Sequence, residues 1–484
     1  MKKKVLATLL TGVMATSLLA GCGGAAPAAD APAAEPAAEA EATPADDAAT
    51  TDTATPANGG GEGTINLWAF TDEVPGMIQK YVDEHPDFPY SINTTIIATT
   101  DGAYQPALDA ALQAGGADQP DMYCAEAAFI LKYSKGDMQD FAMPYADLGI
   151  DVDNLVKEAD IAQYTMDIGS NTDGQIDALG YQTTGGVFIY RRSIAKDVFG
   201  TDDPAEISKI IGGGSGSWDK FFEAAAKLAE KGDAIVSGDG DIWHAVENSS
   251  DKGWLDADGK LQIDPKREAF LDISKDLTDK GWSNVTQDWQ DAWFADMKGE
   301  GAKPVFGFFG PAWLINYTLA PNCGGEKVGE GTYGDWAICD SPIGFFWGGT
   351  WLLANKNMDE AKKAAVAELI QWVTLDSSED GLQYKWANGT LNGEGGTKDS
   401  VASGTVMGKS NGELDFLGGQ NMFDYFVPAN KYANGKNLTQ YDESINSIWR
   451  DQVRAYAAGE KDRDAAIADF KQTVSDNLGI EVAE

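Results

Sequence analysis

Apolar and polar residues alternate through Gly63–Phe70 ("GTINLWAF"), which predicts a strand with inward and outward faces. Val74, Met77, Ile78, Tyr81 and Val82 then recur at helical spacing and predict a helix that stops near Pro86. Residues 90–99 read as a second strand. Residues 106–114 read as a short helix, opened by Pro106 and closed by Gly115-Gly116. A third strand, 120–129, runs out into a loop. Strand and helix in alternation argue for an α/β layered domain with parallel strands.

A new section opens at 177–193 ("DALGYQTTGGVFIYRRS"). It leads to a helix capped by Ser217 and ended by Gly232, with Trp218, Phe221, Phe222, Ala225 and Leu228 on one face, an arrangement that suits core packing. Residues 358–375 form another amphipathic helix, with acids in its first turn where the helix dipole favours them. The tail, 443–479, reads as two helices parted near Gly459. No internal repeat is visible.

The N-terminus changes the picture. Lys2, Lys3 and Lys4 precede an apolar stretch too short and too small-residued for a membrane span, which reads as a secretory signal over 1–21. Its end, Leu18-Leu19-Ala20-Gly21-Cys22, resembles the bacterial lipobox, so Cys22 is the expected lipidation site and first mature residue. Residues 22–62 combine this Cys with an Ala/Pro/acidic segment that lacks lysine, arginine and aromatic side chains. Such a composition cannot bury enough apolar surface to offset its ordering entropy, and it reads as a disordered tether.

The whole chain carries 36 Lys+Arg against 76 Asp+Glu, a formal charge of −40. A surface of that sign repels phosphate backbones and anionic headgroups, which excludes nucleic acid as a partner and leaves the lipid anchor as the only membrane contact. The surplus acid is either a solvated face or the mark of a cationic ligand. Of the other cysteines, Cys124 lies in an apolar run and reads as a buried core thiol. Cys323 and Cys339 flank a Gly-rich loop, where an exported protein can keep a disulfide, and are expected to be bonded to each other. Cys/His metal spacing is absent and the histidines are only His85 and His244, so no metal site is expected.

Catalytic and cofactor motifs are equally absent. "IIGGGSGSW" has glycines but no phosphate-loop lysine, and no G-x-S-x-G elbow occurs. His244 has no serine or cysteine partner nearby and reads as a packing residue. "LDADGKLQID" lacks the ligands of a calcium loop and reads as a turn. No cofactor and no enzymatic activity are expected.

Most unusual is "FFWGGTWLLANK", residues 345–356, in which four aromatic rings crowd a Gly-Gly pair. Glycine in a strand marks a bulge or a close approach to the backbone. Across the chain, several of the 14 tryptophans stand beside glycine or short polar residues: Trp68, Trp254, Trp313, Trp347 and Trp351. Aromatic faces next to planar carboxylates and amides suit a sugar, which offers flat C–H patches and a rim of hydroxyls. Core packing is the alternative role for each.

Five stretches together resemble a known family, the extracellular solute-binding proteins of carbohydrate ABC transporters, of the maltodextrin-binding type. They are the lipobox with its tether, "INLWAFTDEVPGMIQKYVDEHP", "GADQPDMYCAEAAFILKYSKGD", the segment from "GYQTTGGVFIYRRS" to "SWDKFFEAAAKLAEKG", and "GGTWLLANKNMDEAKKAAVAELIQWV". Arg191 and Ser217 depart from the family's usual Asn and Thr. The resemblance implies a type II periplasmic-binding-protein-like fold. One lobe takes 63–181 plus 346–400 and the other 182–345 plus 401–484, with the ligand cleft between them.

It further implies a monomeric, lipid-anchored receptor on the outer face of the cytoplasmic membrane of a Gram-positive-type bacterium, handing an oligosaccharide to the permease subunits of an ABC importer. Trp68, Asp72, Glu73 and Glu126 would face the cleft from the first lobe, Gln182 and Thr184 from the hinge, and Trp254 and Trp313 from the second lobe. Trp347 or Trp351 would be the platform for a sugar ring. The competing readings are a receptor for a polyamine or basic peptide and a surface glycosidase.

Overall fold

The computed structural model describes residues 63–99, 102–393 and 395–483. Cys22, the signal segment and the tether lie outside the described residues. Among these residues no helix is long and apolar enough to cross a membrane.

Two sheets organise the chain. The first has five strands: β1 (Gly63–Ala69), β2 (Tyr90–Ile96), β3 (Met122–Glu126), β4 (Ala178–Gly180) and a late arrival from the second half of the sequence, Thr350–Ala354. Their order is β2, β1, β3, the late strand, β4. The expected parallel pairing holds for β1 with β2 and β3, whereas the late strand runs antiparallel to both β3 and β4. It can do so because it returns through a separate crossing rather than through a helix.

β3 is apolar almost throughout because both of its faces are covered. Met122 and Cys124 pack with Ile65, Leu67 and Leu352 on one side, and Tyr123 and Ala125 pack with Tyr104, Leu108 and Leu353 on the other. The helices Glu73–Glu84 and Lys363–Thr374 lie over the first side, and Tyr104–Ala114 over the second.

The second sheet has three antiparallel strands, β5 (Val187–Arg191), β6 (Gly307–Gly310) and β7 (Trp336–Cys339), with β5 in the centre. With the late strand as β8, the chain passes between the sheets at 181–187 and 345–349, and residues 399–403 run beside the first of these passes. Hydrogen bonds lock these passes together. Trp347 N donates to Thr184 O (3.0 Å) and Gly186 N to Phe345 O (2.9 Å). Thr183 Oγ1 donates to Val401 O (2.9 Å), and Asn430 Nδ2 donates to Thr183 Oγ1 (2.9 Å). The short helix Gly404–Gly408 still packs on Val152–Ala159 and Leu382–Ala387, alongside the first sheet, and the third crossing follows it, before Asp415–Leu417 packs on β7.

Two local expectations change. The helix Asp219–Lys231 takes Trp218 as its N-cap, and the Ser217 hydroxyl just before it accepts from Asp219 N (3.1 Å). Cys323 and Cys339 are free thiols. Alternation along β7 explains this: Trp336 and Ile338 share a core cluster with Cys323, whereas Ala337 and Cys339 face the opposite cluster with Phe188 and Tyr190. Nearness along the loop could not reveal that the strand's pleat turns Cys339 away. Cys124 is buried, as expected.

Candidate ligand-binding site

Where β3 ends, Glu126 turns its carboxylate back onto the chain and Oε2 accepts from Ala128 N (2.8 Å). Opposite it, the pass at 345–349 presents Phe346, Trp347 and Gly348. The helix Asp239–Glu247 contributes His244 and Glu247, and Asp442–Ala457 contributes Asp442, Glu443 and Arg450. These elements, with the loop at Asp288 and Trp289, line a cavity of roughly 420 Å³ between the two sheets. That volume falls within the range of small-molecule sites.

One wall is aromatic. The Trp347 indole stacks on the His244 imidazole, with ring centroids 3.6 Å apart and planes at 14°. Trp313 meets Trp347 edge-on at 4.8 Å, and its Nε1 donates to Trp347 O (3.0 Å). Trp289 lies parallel to Trp313 at 6.2 Å and 11°. Trp289 has φ 66°, and nearby Val285 has φ 56°, both in the left-handed region that bulky residues avoid. Trp289 is nevertheless 51% exposed, so the loop holds a large apolar ring at the water boundary in a costly backbone state.

Gly348 and Gly349 have φ of 73° and 119°. A Cβ on Gly348 would sit 3.4 Å from Trp313 Nε1 and 3.5 Å from Glu126 Oε1, and one on Gly349 would press to 3.1 Å on the Trp351 ring. The glycines therefore let the pass turn sharply between indoles.

The remaining wall is charged. Arg450 pairs with Asp288 (3.0 Å), which also lies 3.5 Å from His244 Nε2. Burial works to raise Asp288, but His244 and Arg450 hold it down to about 2. Buried Asp241 behind it is pushed up by desolvation and by Asp288, and accepts from Trp293 Nε1 (3.1 Å). Burial raises Glu126 to about 7 and Glu247 to about 8, and Glu443 adds to both. Burial likewise raises Asp442 to about 6 and raises Glu443.

Of the residues singled out in the sequence, Glu126 and Trp347 line this cavity and Trp313 supports Trp347 from beside it. Thr184 is buried and acts on the pass itself, its Oγ1 donating to Gly348 O (2.8 Å). Gln182 is spent on Asp399 (2.8 Å). Glu73 accepts from the Tyr181 and Tyr317 hydroxyls, Asp72 is exposed, and Trp68 sits half-buried at the end of β1; none of the three lines the cavity.

Two tryptophans are core residues instead. Trp254 is 0% exposed, packed by Trp449 and Phe470 beneath the Arg267 guanidinium, with Nε1 donating to Asn446 (2.7 Å). Trp351 is 2% exposed and donates to Thr165 O (3.1 Å), because within β8 it shares the face of Leu353 and packs against Tyr164 and Ile168.

His244 was read as a packing residue, yet it lines the cavity beneath Trp347. Trp289 was missed altogether, although "DWQDAW" sets it among polar neighbours in the same way that selected Trp254. Glu247, Asp442 and Glu443 carried no local signal, since their helices offer acids on every solvent face.

With two α/β lobes, three crossings and a cavity between them, the architecture is that of a type II periplasmic binding protein. The chain belongs to the family described as bacterial extracellular solute-binding protein, which it matches over residues 68–380.

Solved structures agree in fold. A crystal structure of an extracellular solute-binding protein family 1 member has a TM-score of 0.68 at 18% identity, covering 85% of this chain and 99% of that one. The galacto-N-biose-/lacto-N-biose I-binding protein of Bifidobacterium longum, in complex with lacto-N-biose, scores 0.63 at 16% identity, covering 88% and 100%. The sugar-binding protein MalE from Xanthomonas citri scores 0.62 at 17% identity, covering 86% and 97%. No curated protein matches the chain.

Proposed function

We propose that this protein is a lipid-anchored extracellular receptor that binds an oligosaccharide in the cavity between its lobes and delivers it to an ABC importer permease. One observation carries the reading: Trp347, Trp313 and Trp289 form a stepped aromatic cluster at a cavity that carboxylates and an arginine also line. A sugar needs both, a ring face for its C–H patches and polar groups for its hydroxyls. Glu126 and Trp347 would contact the ligand, with Trp313 fixing Trp347 and Thr184 fixing the pass. The lacto-N-biose complex of one structural relative and the sugar-binding name of another point the same way.

Ligand bound to both lobes would stabilise the closed state over the open one. The expected role is that of a carrier, so the sugar should leave unchanged. Calorimetry against a panel of oligosaccharides, with chromatography of the recovered sugar, tests the reading. Saturable binding with intact sugar supports it. Silence across the panel sinks the carbohydrate assignment, and shortened products would make the protein a glycosidase.

A further inference from the structure

The acidic side of the cavity exceeds what a neutral sugar needs. Glu126, Glu247, Asp442 and Glu443 all line it, and among the described residues none of the four makes an ion pair. The arginines nearby make their direct contacts with other groups, although Nε of Arg267 and of Arg454 has no partner. Arg450 pairs with Asp288 (3.0 Å), Arg454 with Asp451 (3.4 Å), and Arg267 donates to the Lys252 and Glu247 carbonyls. None of them pairs with the four carboxyls, and an ammonium entering beside these groups would favour their ionised form.

A second observation points to an absent partner. Asp442 is only 7% exposed and lines the cavity, yet its Oδ2 has no hydrogen-bond donor, while Oδ1 takes both donors of Thr439. A buried carboxylate oxygen left unmatched costs free energy unless a donor arrives with the ligand. Among the described residues no three such side chains converge as metal ligands. The charge is spread along the wall, which suits an extended cationic molecule rather than a bare ion. The facing indoles of Trp347 and Trp289 add a surface that attracts cations.

We infer that the oligosaccharide this cavity takes is an amino sugar carrying a free, protonated amine, received by the carboxylates Glu126, Glu247, Asp442 and Glu443. This rests on the carbohydrate reading and narrows it. A neutral or N-acetylated sugar would leave the acidic wall unmatched, whereas a linear polyamine would leave the aromatic wall idle.

The test uses the protein carrying its full two-lobed domain and isothermal calorimetry. The probes are short glucosamine and galactosamine oligomers, their fully N-acetylated twins, neutral malto- and galacto-oligosaccharides, and spermidine. A free-amine sugar should bind at least roughly tenfold tighter than its acetylated twin, and should lose that margin as salt rises. Glu443→Gln, at a side chain that makes no hydrogen bond or ion pair among the described residues, should shrink the margin between the twins. Circular dichroism would confirm that the variant folds.

Equal or tighter binding of the acetylated or neutral sugars overturns the amine inference and leaves the carbohydrate reading standing. Binding of spermidine alone overturns both, as does silence throughout. A margin untouched by Glu443→Gln and by salt also overturns it, because charge would then not be what the site reads.

Discussion

The Trp347 indole lies face to face with the His244 imidazole, 3.6 Å between centroids and 14° between planes. Trp347 comes from the pass that re-enters the first sheet, and His244 from a helix beside the second. The contact therefore bridges the two halves of the fold at the cavity wall. It also fixes which face of Trp347 a ligand can use, since His244 occupies the other.

Trp347→Ala should accordingly weaken ligand binding by roughly 1–3 kcal/mol, the scale of a buried aromatic contact. Its ring is half-buried, so the melting temperature of the unliganded protein should fall little. Trp313→Ala should cost both quantities, because its Nε1 also anchors the Trp347 carbonyl (3.0 Å). Calorimetric titration and thermal melts of the two variants check this. A Trp347 variant with unchanged affinity would remove the ring from the site.

Trp254 and Trp351 should behave oppositely. Each fills closely packed core at 0% and 2% exposure. Truncation to alanine should cost about 3–5 kcal/mol of stability, as for other buried large-to-small changes. The ligand affinity of whatever remains folded should be nearly that of the parent. Denaturant titration beside binding assays separates the two outcomes, and a stable Trp254→Ala with weakened binding would return that residue to the site.

Cys323 and Cys339 should both be found as thiols. Alkylation after unfolding without reductant, read by mass spectrometry, should modify each, and reductant should leave the melting temperature unchanged. Recovery of a linked peptide pair would contradict the opposite-face placement along β7.

Acid should stabilise the unliganded protein. Burial, the leading cause in each case, raises Glu126 to about 7, Glu247, Asp399 and Asp177 to about 8, and Asp442 to about 6. The folded protein therefore holds these protons more tightly than the unfolded chain. The stability they contribute is fully present below the ordinary carboxyl range and is lost as pH rises through roughly 6–8. Asp288, lowered to about 2, acts in the other direction, but its loss falls below the ordinary carboxyl range. Scanning calorimetry should show the melting temperature falling between about pH 5 and pH 8. A rise over that span would contradict these carboxyl environments.

Local periodicity in the sequence was enough to determine the strand at Gly63–Ala69, the helix Glu73–Glu84, the two C-terminal helices and the burial of Cys124, because each depends on which side chains neighbours along the chain can hide. The order of motifs was also enough to suggest the two-lobed family fold.

Tertiary structure alone decided which aromatic rings face the cavity. Trp347 and Trp351 look alike in sequence, yet the turn at Gly348-Gly349, both at positive φ, leaves Trp347 on the cavity wall before β8 begins, whereas Trp351 lies within β8 and is buried. The same holds for Cys323 and Cys339, divided by a strand's pleat, and for Glu247, Asp442 and Glu443, which become one acidic wall only when two helices distant in sequence both pack on the helix Pro265–Asp279. Charge proximity of that kind is a property of packing, and no spacing along the chain encodes it.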